Sequence, residues 1–146
     1  MFAVLEAAQA EPWSDEESIG EIRKFVTSIE GAYIARDWDR FADHFTDDAL
    51  WMPNGWHPLQ GRAAWWSFVK RFWTTTQVVE MDNVSDEIIV SGDWAIERHT
   101  EVTTTINENG EKRTSRFKGV WILRRVEDGS WKIARYIWKQ NPVPKQ

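Results

Sequence analysis

The sequence predicts one α+β domain in which three N-terminal helices cover one face of a curved, mostly antiparallel sheet. Three observations support this prediction. Apolar residues follow a helical period in several stretches before residue 74, β-prone runs separated by turn residues follow, and a length of 146 residues fits a single domain. We expect residues 14–142 to form this domain, residues 1–13 to be a flexible arm and residues 143–146 a tail.

Three amphipathic segments are predicted as helices. In the first, Ser14 and Glu17 have the spacing of a capping box, and apolar residues then recur at helical spacing over residues 19–33. A second, short helix begins at Trp38, and a third spans about residues 62–73. Because each segment has an apolar face, each requires a surface to cover.

The remaining segments predict strands. A short strand, residues 47–53, precedes the third helix, and four longer runs follow it at residues 78–91, 94–106, 113–126 and 131–139. An irregular middle is expected in the first long run, at Asp82-Asn83. Glycine-containing turns separate the four runs, so they predict consecutive antiparallel hairpins.

The charge distribution and composition exclude several classes of protein. The formal net charge is -5, but residues 1–97 carry 18 acids and 7 bases, whereas residues 98–146 carry 5 acids and 11 bases. We expect these complementary halves to pair internally, without nucleic acid as a partner. The absence of cysteine excludes disulfides and thiolate sites. No apolar run approaches the length of about 18 residues that spans a bilayer, so we expect no membrane partner and a cytoplasmic location.

Tryptophan is unusually frequent, with 11 residues against 2 Tyr and 7 Phe. Trp65 and Trp66 lie about 100° apart on the third helix, so burying both requires cover on more than one side. We expect part of the excess in the core and at a dimer interface. The rest predicts an aromatic cavity for a small apolar, ring-containing ligand. Its predicted ligand-binding residues are Phe45, Trp51, Trp56, Trp66 and Trp73.

The strongest candidate for chemistry is the predicted strand 94–106, where alternation places Glu97, His99 and Glu101 on one face. Histidine titrates near neutral pH, and flanking carboxylates favour its charged form. We therefore predict that His99 acts as acid or base and that Glu97 or Glu101 tunes it. Tyr33 is predicted to donate a hydrogen bond to a substrate oxygen. The alternatives are a solvated polar strand face and a core tyrosine.

Other polar residues receive weaker predictions. We expect His44 at the surface of the second helix and His57 in an exposed loop. No pair of histidines has metal-ligand spacing and no phosphate-binding glycine motif occurs, so we predict no metal and no cofactor. In the predicted strand 113–126, alternation separates a basic face, Arg116, Lys118 and Arg124, from an apolar face, Phe117, Trp121 and Leu123. We expect the basic face to pair with acids of a neighbouring strand, with an anionic ligand as the alternative.

Several short motifs occur in a particular order along the chain. They are Ala32-Tyr33 with Arg36-Asp37-Trp38-Asp39, Phe45-Thr46-Asp47-Asp48-Ala49, Gly61-Arg62-Ala63-Ala64, Gly92-Asp93-Trp94-Ala95, and Asp128-Gly129-Ser130-Trp131-Lys132-Ile133-Ala134-Arg135. Over about residues 18–142, this order resembles the nuclear transport factor 2-like superfamily, and within it the SnoaL-like and ketosteroid-isomerase-like group. The resemblance implies a conical fold that encloses a pocket, and commonly a homodimer through the outer face of the sheet.

The catalytic positions of that group are altered here. Trp51-Met52-Pro53 stands where members resembling ketosteroid isomerase place a base, and Ile34 follows Tyr33 where members resembling scytalone dehydratase place an acid. Two hypotheses therefore stand. The first is a cofactor-independent acid–base isomerase, dehydratase or cyclase acting on an apolar ring compound. The second is a non-catalytic ligand-binding or dimeric association domain.

Overall fold

The computed structural model describes residues 14–144, which form three helices and a six-stranded sheet. The helices are α1 (Asp15–Ile34), α2 (Trp38–Ala42) and α3 (Arg62–Thr75). The strands are β1 (Phe45–Met52), β2 (Leu59–Gln60), β3 (Thr76–Ser91), β4 (Trp94–Asn107), β5 (Lys112–Arg125) and β6 (Trp131–Gln140). The predicted α+β class is confirmed. The predicted arm, residues 1–13, lies outside the described residues.

The sheet is open and mixed, with the strand order β2-β1-β6-β5-β4-β3. The predicted meander from β3 to β6 is antiparallel throughout, whereas β1 pairs with β6 in parallel. The irregularity predicted at Asp82-Asn83 is misplaced, because the β3–β4 register shifts between Val78 and Glu80 and again between Ser85 and Glu87. Such bulges bend a strand and increase its twist, so they help β3 to curve around the helices.

Local sequence signals explain where the helices begin. At α1, the backbone N–H of Glu17 donates to Ser14 Oγ, and the N–H of Ser14 donates to the Glu17 carboxylate, each over 3.1 Å. This is the predicted capping box. At α2, Asp37 accepts a hydrogen bond from the backbone N–H of Arg40. No helix within residues 14–144 has the length and apolar character needed to cross a membrane.

Two sides of α3 are covered, as the adjacent tryptophans require. Trp65 is fully buried and stacks on Trp51 of β1, with ring centroids 5.0 Å apart and an interplanar angle of 10°. Trp66 packs on Trp38 of α2, with centroids 3.8 Å apart. The helix therefore joins β1 to α2 through two separate aromatic contacts.

The helices cover one face of the sheet, called here the inner face, and leave the outer face open. On β4 the inner residues Glu97 and His99 are 0% and 1% exposed, whereas the outer residues Trp94 and Ile96 are 46% and 43% exposed. The predicted alternation is confirmed. The alternative of a solvated Glu97–His99 face is wrong, because the helices cover that face.

His44 is buried, which corrects its predicted surface position. Its Nδ1 lies 2.8 Å from the Arg40 carbonyl oxygen and its Nε2 lies 2.9 Å from Ser28 Oγ. A carbonyl only accepts, so Nδ1 carries the proton and Nε2 of the neutral ring accepts from the Ser28 hydroxyl. Burial lowers the pKa of His44, which favours this neutral form. The histidine thus ties the end of α2 to α1.

Candidate functional site

A cavity of about 830 Å³ lies between the inner face of the sheet and the helices. Its helical wall is formed mainly by Ile29, Tyr33, Phe41, Phe68, Val69 and Phe72. Its sheet wall is aromatic near β1 and β6 and carries polar side chains on β3, β4 and β5, among them Asn83, Glu101, Thr103 and Ser115. This combination of apolar surface and a few polar groups is typical of a site for a small organic molecule.

Glu101 is an acid on the cavity wall. It belongs to the inner row of β4, and one of its carboxylate oxygens accepts a 2.6 Å hydrogen bond from the Thr103 hydroxyl. Burial raises the pKa of Glu101, and the Thr103 hydrogen bond and the nearby His99 oppose that rise. A carboxyl group with a raised pKa is better matched to proton transfer near neutral pH than an ordinary surface glutamate.

Glu30 is a second acid on the cavity wall, and it comes from α1. Burial raises its pKa from 4.5 to about 7, the backbone amide of Asn83 lowers it, and the charges of Asp82 and Glu101 raise it further. Within the described residues, Glu30 Oε1 and Asn83 Oδ1 are buried and make no hydrogen bond. Both residues line the cavity, and neither of these oxygens has a donor among the described residues.

Two phenols accompany the acids. Tyr33 of α1 and Tyr136 of β6 both line the cavity. Burial raises the pKa of each hydroxyl, and the charge of Glu101 raises both pKa values further. Both phenols therefore stay protonated and can donate a hydrogen bond to a ligand oxygen.

His99 lies behind this wall. Its Nδ1 donates to Glu97 Oε2 over 2.6 Å, and the Ser85 hydroxyl donates to Glu97 Oε1 over the same distance. Its ring packs against Trp121, with centroids 4.8 Å apart, and its Nε2 makes no hydrogen bond within the described residues.

The ring of His99 fits only because the residue opposite it is Gly119. A side chain at Gly119 would overlap His99 Nε2, and its Cβ would lie 2.8 Å from His99 Cε1. The glycine on β5 therefore opens the space that the imidazole occupies.

The predicted catalytic residues occupy two places. Tyr33 and Glu101 line the cavity, whereas Glu97 and His99 do not and instead form a hydrogen-bonded pair beneath it. This corrects the role predicted for His99, because its two ring nitrogens face Glu97 and Gly119 and not the ligand space.

Only some of the aromatic residues predicted to bind a ligand line the cavity. Phe45 and Trp51 line the cavity, but Trp56, Trp66 and Trp73 are not among its lining residues. Trp66 and Trp73 turn toward Trp38 on α2, and Trp56 lies 44% exposed beside Phe68. None of the three is a cavity-lining residue as predicted. For Trp66 and Trp73 the reason is that α2 covers that side of α3, and for Trp56 it is that the loop after β1 places the ring at the surface, beside Phe68 and Arg71.

Sequence reasoning missed Glu30 and Tyr136. Glu30 precedes Tyr33 by one helical turn, so a covered tyrosine could have drawn attention to it. Tyr136 could have been found from the alternation of β6, which places it on the same face as Trp138. Within residues 14–144, no group of three or more histidine, aspartate and glutamate side chains is placed to hold a metal ion.

Comparison with protein families gives one match that covers most of the chain. The model of the SnoaL-like domain matches residues 22–136. No curated protein matches the chain in sequence.

Solved structures share the fold at low sequence identity. A ketosteroid isomerase-like protein from Erwinia carotovora atroseptica has a TM-score of 0.79 and 22% identity, over 87% of this chain and 98% of that one. A putative aromatic ring hydroxylase from Novosphingobium aromaticivorans has a TM-score of 0.75 and 21% identity, over 90% and 94% of the two chains. A conserved protein from Planctomyces limnophilus has a TM-score of 0.77 and 18% identity, over 88% and 99%. Such similarity establishes a common fold.

Proposed function

Since the chain belongs to the SnoaL-like domain family, we propose that it uses the cavity for cofactor-independent acid–base chemistry on an apolar ring compound with a carbonyl group. The observation that carries this proposal is the meeting of two carboxyl groups with raised pKa, Glu30 and Glu101, with two protonated phenols in one aromatic cavity. The similarity to a ketosteroid isomerase-like protein agrees with this choice of reaction.

The reaction is a proton transfer within one substrate. Glu101, as carboxylate, removes a proton from the carbon next to the carbonyl. The electron pair of the broken C–H bond forms a C=C bond, and the π pair of the C=O bond moves onto the carbonyl oxygen. Tyr33 donates a hydrogen bond to that oxygen, where negative charge develops. When the substrate has a C=C bond conjugated with the enolate, Glu101 returns the proton to the far carbon of that bond while the C=O bond forms again, so atoms and charge balance and the carboxylate is restored. Where Glu30 donates the proton to the far carbon instead, Glu101 releases its own proton to solvent and Glu30 takes one up.

His99 supports this chemistry from behind the wall. His99 lies near Glu101 and lowers the pKa of the Glu101 carboxyl electrostatically, which opposes the effect of burial. The Glu97 carboxylate accepts a 2.6 Å hydrogen bond from His99 Nδ1 and another from the Ser85 hydroxyl, so Ser85 fixes Glu97 and Glu97 fixes the imidazole. His99 and Glu97 are therefore positioning residues in the proposal.

Exchange of carbon-bound hydrogen for deuterium tests the proposal. The protein is incubated in D₂O with a panel of enolisable ring ketones, and the loss of the signal of the exchangeable protons is followed by NMR. Faster exchange than in buffer, abolished by a competing ring compound, supports an enzyme. Saturable quenching of tryptophan fluorescence without any exchange across the panel would instead favour the non-catalytic ligand-binding hypothesis.

Replacement of Glu30 with glutamine is expected to change how stability depends on pH. The pKa of Glu30 is about 7 in the folded chain against 4.5 for an ordinary glutamate, so the folded state binds more protons between these values. The stability of the native protein must then fall as pH rises through this window. Glu30→Gln removes that loss, and we expect a gain of about 1 kcal/mol at pH 8 relative to pH 4, a value reduced because solvent reaches the carboxyl.

Urea unfolding at pH 4 and pH 8 measures this change. Glu80→Gln is the matched control, because Glu80 lies exposed on the outer side of β3. A pH dependence of Glu30→Gln identical to that of Glu80→Gln would contradict the raised pKa.

We also propose that the outer face of the sheet is covered by a second copy of the chain. Apolar residues exposed on this face are Val84, Ile89, Trp94, Ile96 and Ile137. Acids of β3 and bases of β5 flank them: Asp86 and Glu87 on one side, Arg116 and Lys118 on the other. A two-fold axis through the apolar patch would set the acidic edge of one copy near the basic strand of its partner, so the surface is self-complementary.

Ile96→Lys is expected to convert the dimer into a monomer, because it places two desolvated charges near the proposed axis. Light scattering on a sizing column at micromolar protein measures the mass. Val143→Lys is the control, since Val143 is 75% exposed and lies outside the sheet. A native protein that already elutes with the mass of one chain would refute the proposed dimer.

A further inference from the structure

The wall of the cavity changes character along β5. From the closed end to the open end, the lining residues on this strand are Trp121, Phe117, Ser115, Arg113 and Lys112. The first two are aromatic, the third carries a hydroxyl and the last two are exposed cations. The hairpin between β4 and β5 thus places a basic group at the mouth of an aromatic cavity.

The register of the sheet fixes the direction of Arg113. It pairs with Thr105, which belongs to the same inner row of β4 as Glu101 and Thr103. Arg116, on the same strand, pairs with Val102 and belongs to the outer row. Two arginines of one strand therefore lie on opposite faces, and only Arg113 lines the cavity.

Arg113 forms no ion pair in the described part of the chain. The side-chain hydrogen bond at this residue, from the Thr105 hydroxyl, is accepted by its backbone oxygen and leaves the guanidinium unused. The neighbouring carboxylate, Glu111, accepts a 2.7 Å hydrogen bond from the Asn107 side chain across the hairpin turn. Glu111 keeps its charge, but it points to the hairpin turn and forms no ion pair with Arg113, so the donors of the guanidinium are available.

The distance between Glu101 and Arg113 along the strands sets the length of a ligand that could contact both residues. Glu101 pairs with Phe117, and Thr105 pairs with Arg113. At roughly 3.3 Å per residue, these two levels are about 13 Å apart along the strands. A rigid ring held near Glu101 reaches the level of Arg113 only if it carries a substituent that extends toward the mouth.

We propose that the ligand is an amphipathic anion, with its ring in the aromatic interior and a carboxylate, sulfate or phosphate at Arg113. This inference rests on the proposed function, because it uses the same cavity. A guanidinium binds such groups through two parallel hydrogen bonds, which gives orientation as well as affinity. The anion then holds the ring in one direction, with its reacting carbon toward Glu101 and Tyr33.

Pyrene compounds test the proposal without any turnover. Pyrenehexanoate and pyrenehexanol have the same ring and linker and differ in the charge of the end group. Energy transfer from tryptophan to pyrene reports binding. We expect the native protein to bind the acid about tenfold more tightly than the alcohol at low salt, and added salt to reduce this preference.

Arg113→Met is expected to remove the preference by weakening binding of the acid and leaving binding of the alcohol unchanged. Arg116→Met, the matched control on the outer face, should bind both probes as the native protein does. Pyrenecarboxylate, which lacks the linker, should show no dependence on Arg113.

Two results would overturn the inference. One is an unchanged affinity of Arg113→Met for the acid. The other is an equal loss of affinity for the acid in Arg116→Met, which would indicate non-specific electrostatic attraction by the basic strand and not a binding site. Failure of the native protein to bind either probe would refute the ligand cavity of the proposed function itself. Binding of both probes with equal affinity would refute the anion site alone.

Discussion

Replacing Glu101 with glutamine is expected to slow proton exchange on a ketone substrate by about 10³-fold, within the range of 10²–10⁴ that general acid–base groups contribute. Glutamine keeps the shape of the side chain and still accepts the hydrogen bond from Thr103, but it cannot take up a proton. Ligand binding should therefore change little, and the loss should appear in the rate. NMR exchange and fluorescence titration measure the two quantities separately.

Glu80→Gln provides the control for this prediction, because it makes the same substitution on the outer side of the sheet and should exchange at the native rate. Exchange by Glu101→Gln at more than a third of the native rate would show that another group removes the proton. In that case Glu30→Gln should show the loss, since Glu30 is the other acid on the cavity wall with a raised pKa.

Replacing Gly119 with alanine is expected to lower the free energy of unfolding by about 2 kcal/mol, a cost typical of overpacking a core. The new methyl group would overlap His99 Nε2 and lie 3.1 Å from the backbone oxygen of Ile137. Because Glu97 holds the imidazole on its other side, the ring cannot turn away without losing a 2.6 Å hydrogen bond. Urea unfolding measures the loss.

A double-mutant cycle identifies the cause of that loss. In a His99→Ala background the space is free, so Gly119→Ala should cost at least about 1 kcal/mol less than in the native protein. Gly20→Ala is the control, because nothing lies within 4 Å of a Cβ built there and alanine is favoured within a helix. An equal cost of Gly119→Ala in both backgrounds would place the conflict at Ile137 and not at His99.

Local signals in the sequence determined the secondary structure. The spacing of Ser14 and Glu17 predicted the start of α1, and the turn sequences predicted the hairpins that join β3 to β6. Each such signal acts over a few residues, so it can be recognised without knowing the fold. The same holds for alternation, which correctly placed Glu97, His99 and Glu101 on one face of β4.

Contacts between distant segments decided the site. Only the packing of α1 on the sheet brings Glu30 and Tyr33 to the cavity that Glu101 and Tyr136 line. The parallel pairing of β1 with β6 joins segments that are far apart in the sequence, and no local pattern predicts this pairing.

The sequence by itself determined the α+β class, the succession of elements and the two faces of each strand, because these follow from local periodicity. The tertiary structure alone decided that Glu101 faces the ligand space while His99 lies behind it. Alternation gives both residues the same side of β4, and it does not give their depth. Depth depends on what packs against each residue: the Trp121 ring packs on the imidazole of His99, which fills the space beside Gly119, whereas Glu101 borders the cavity.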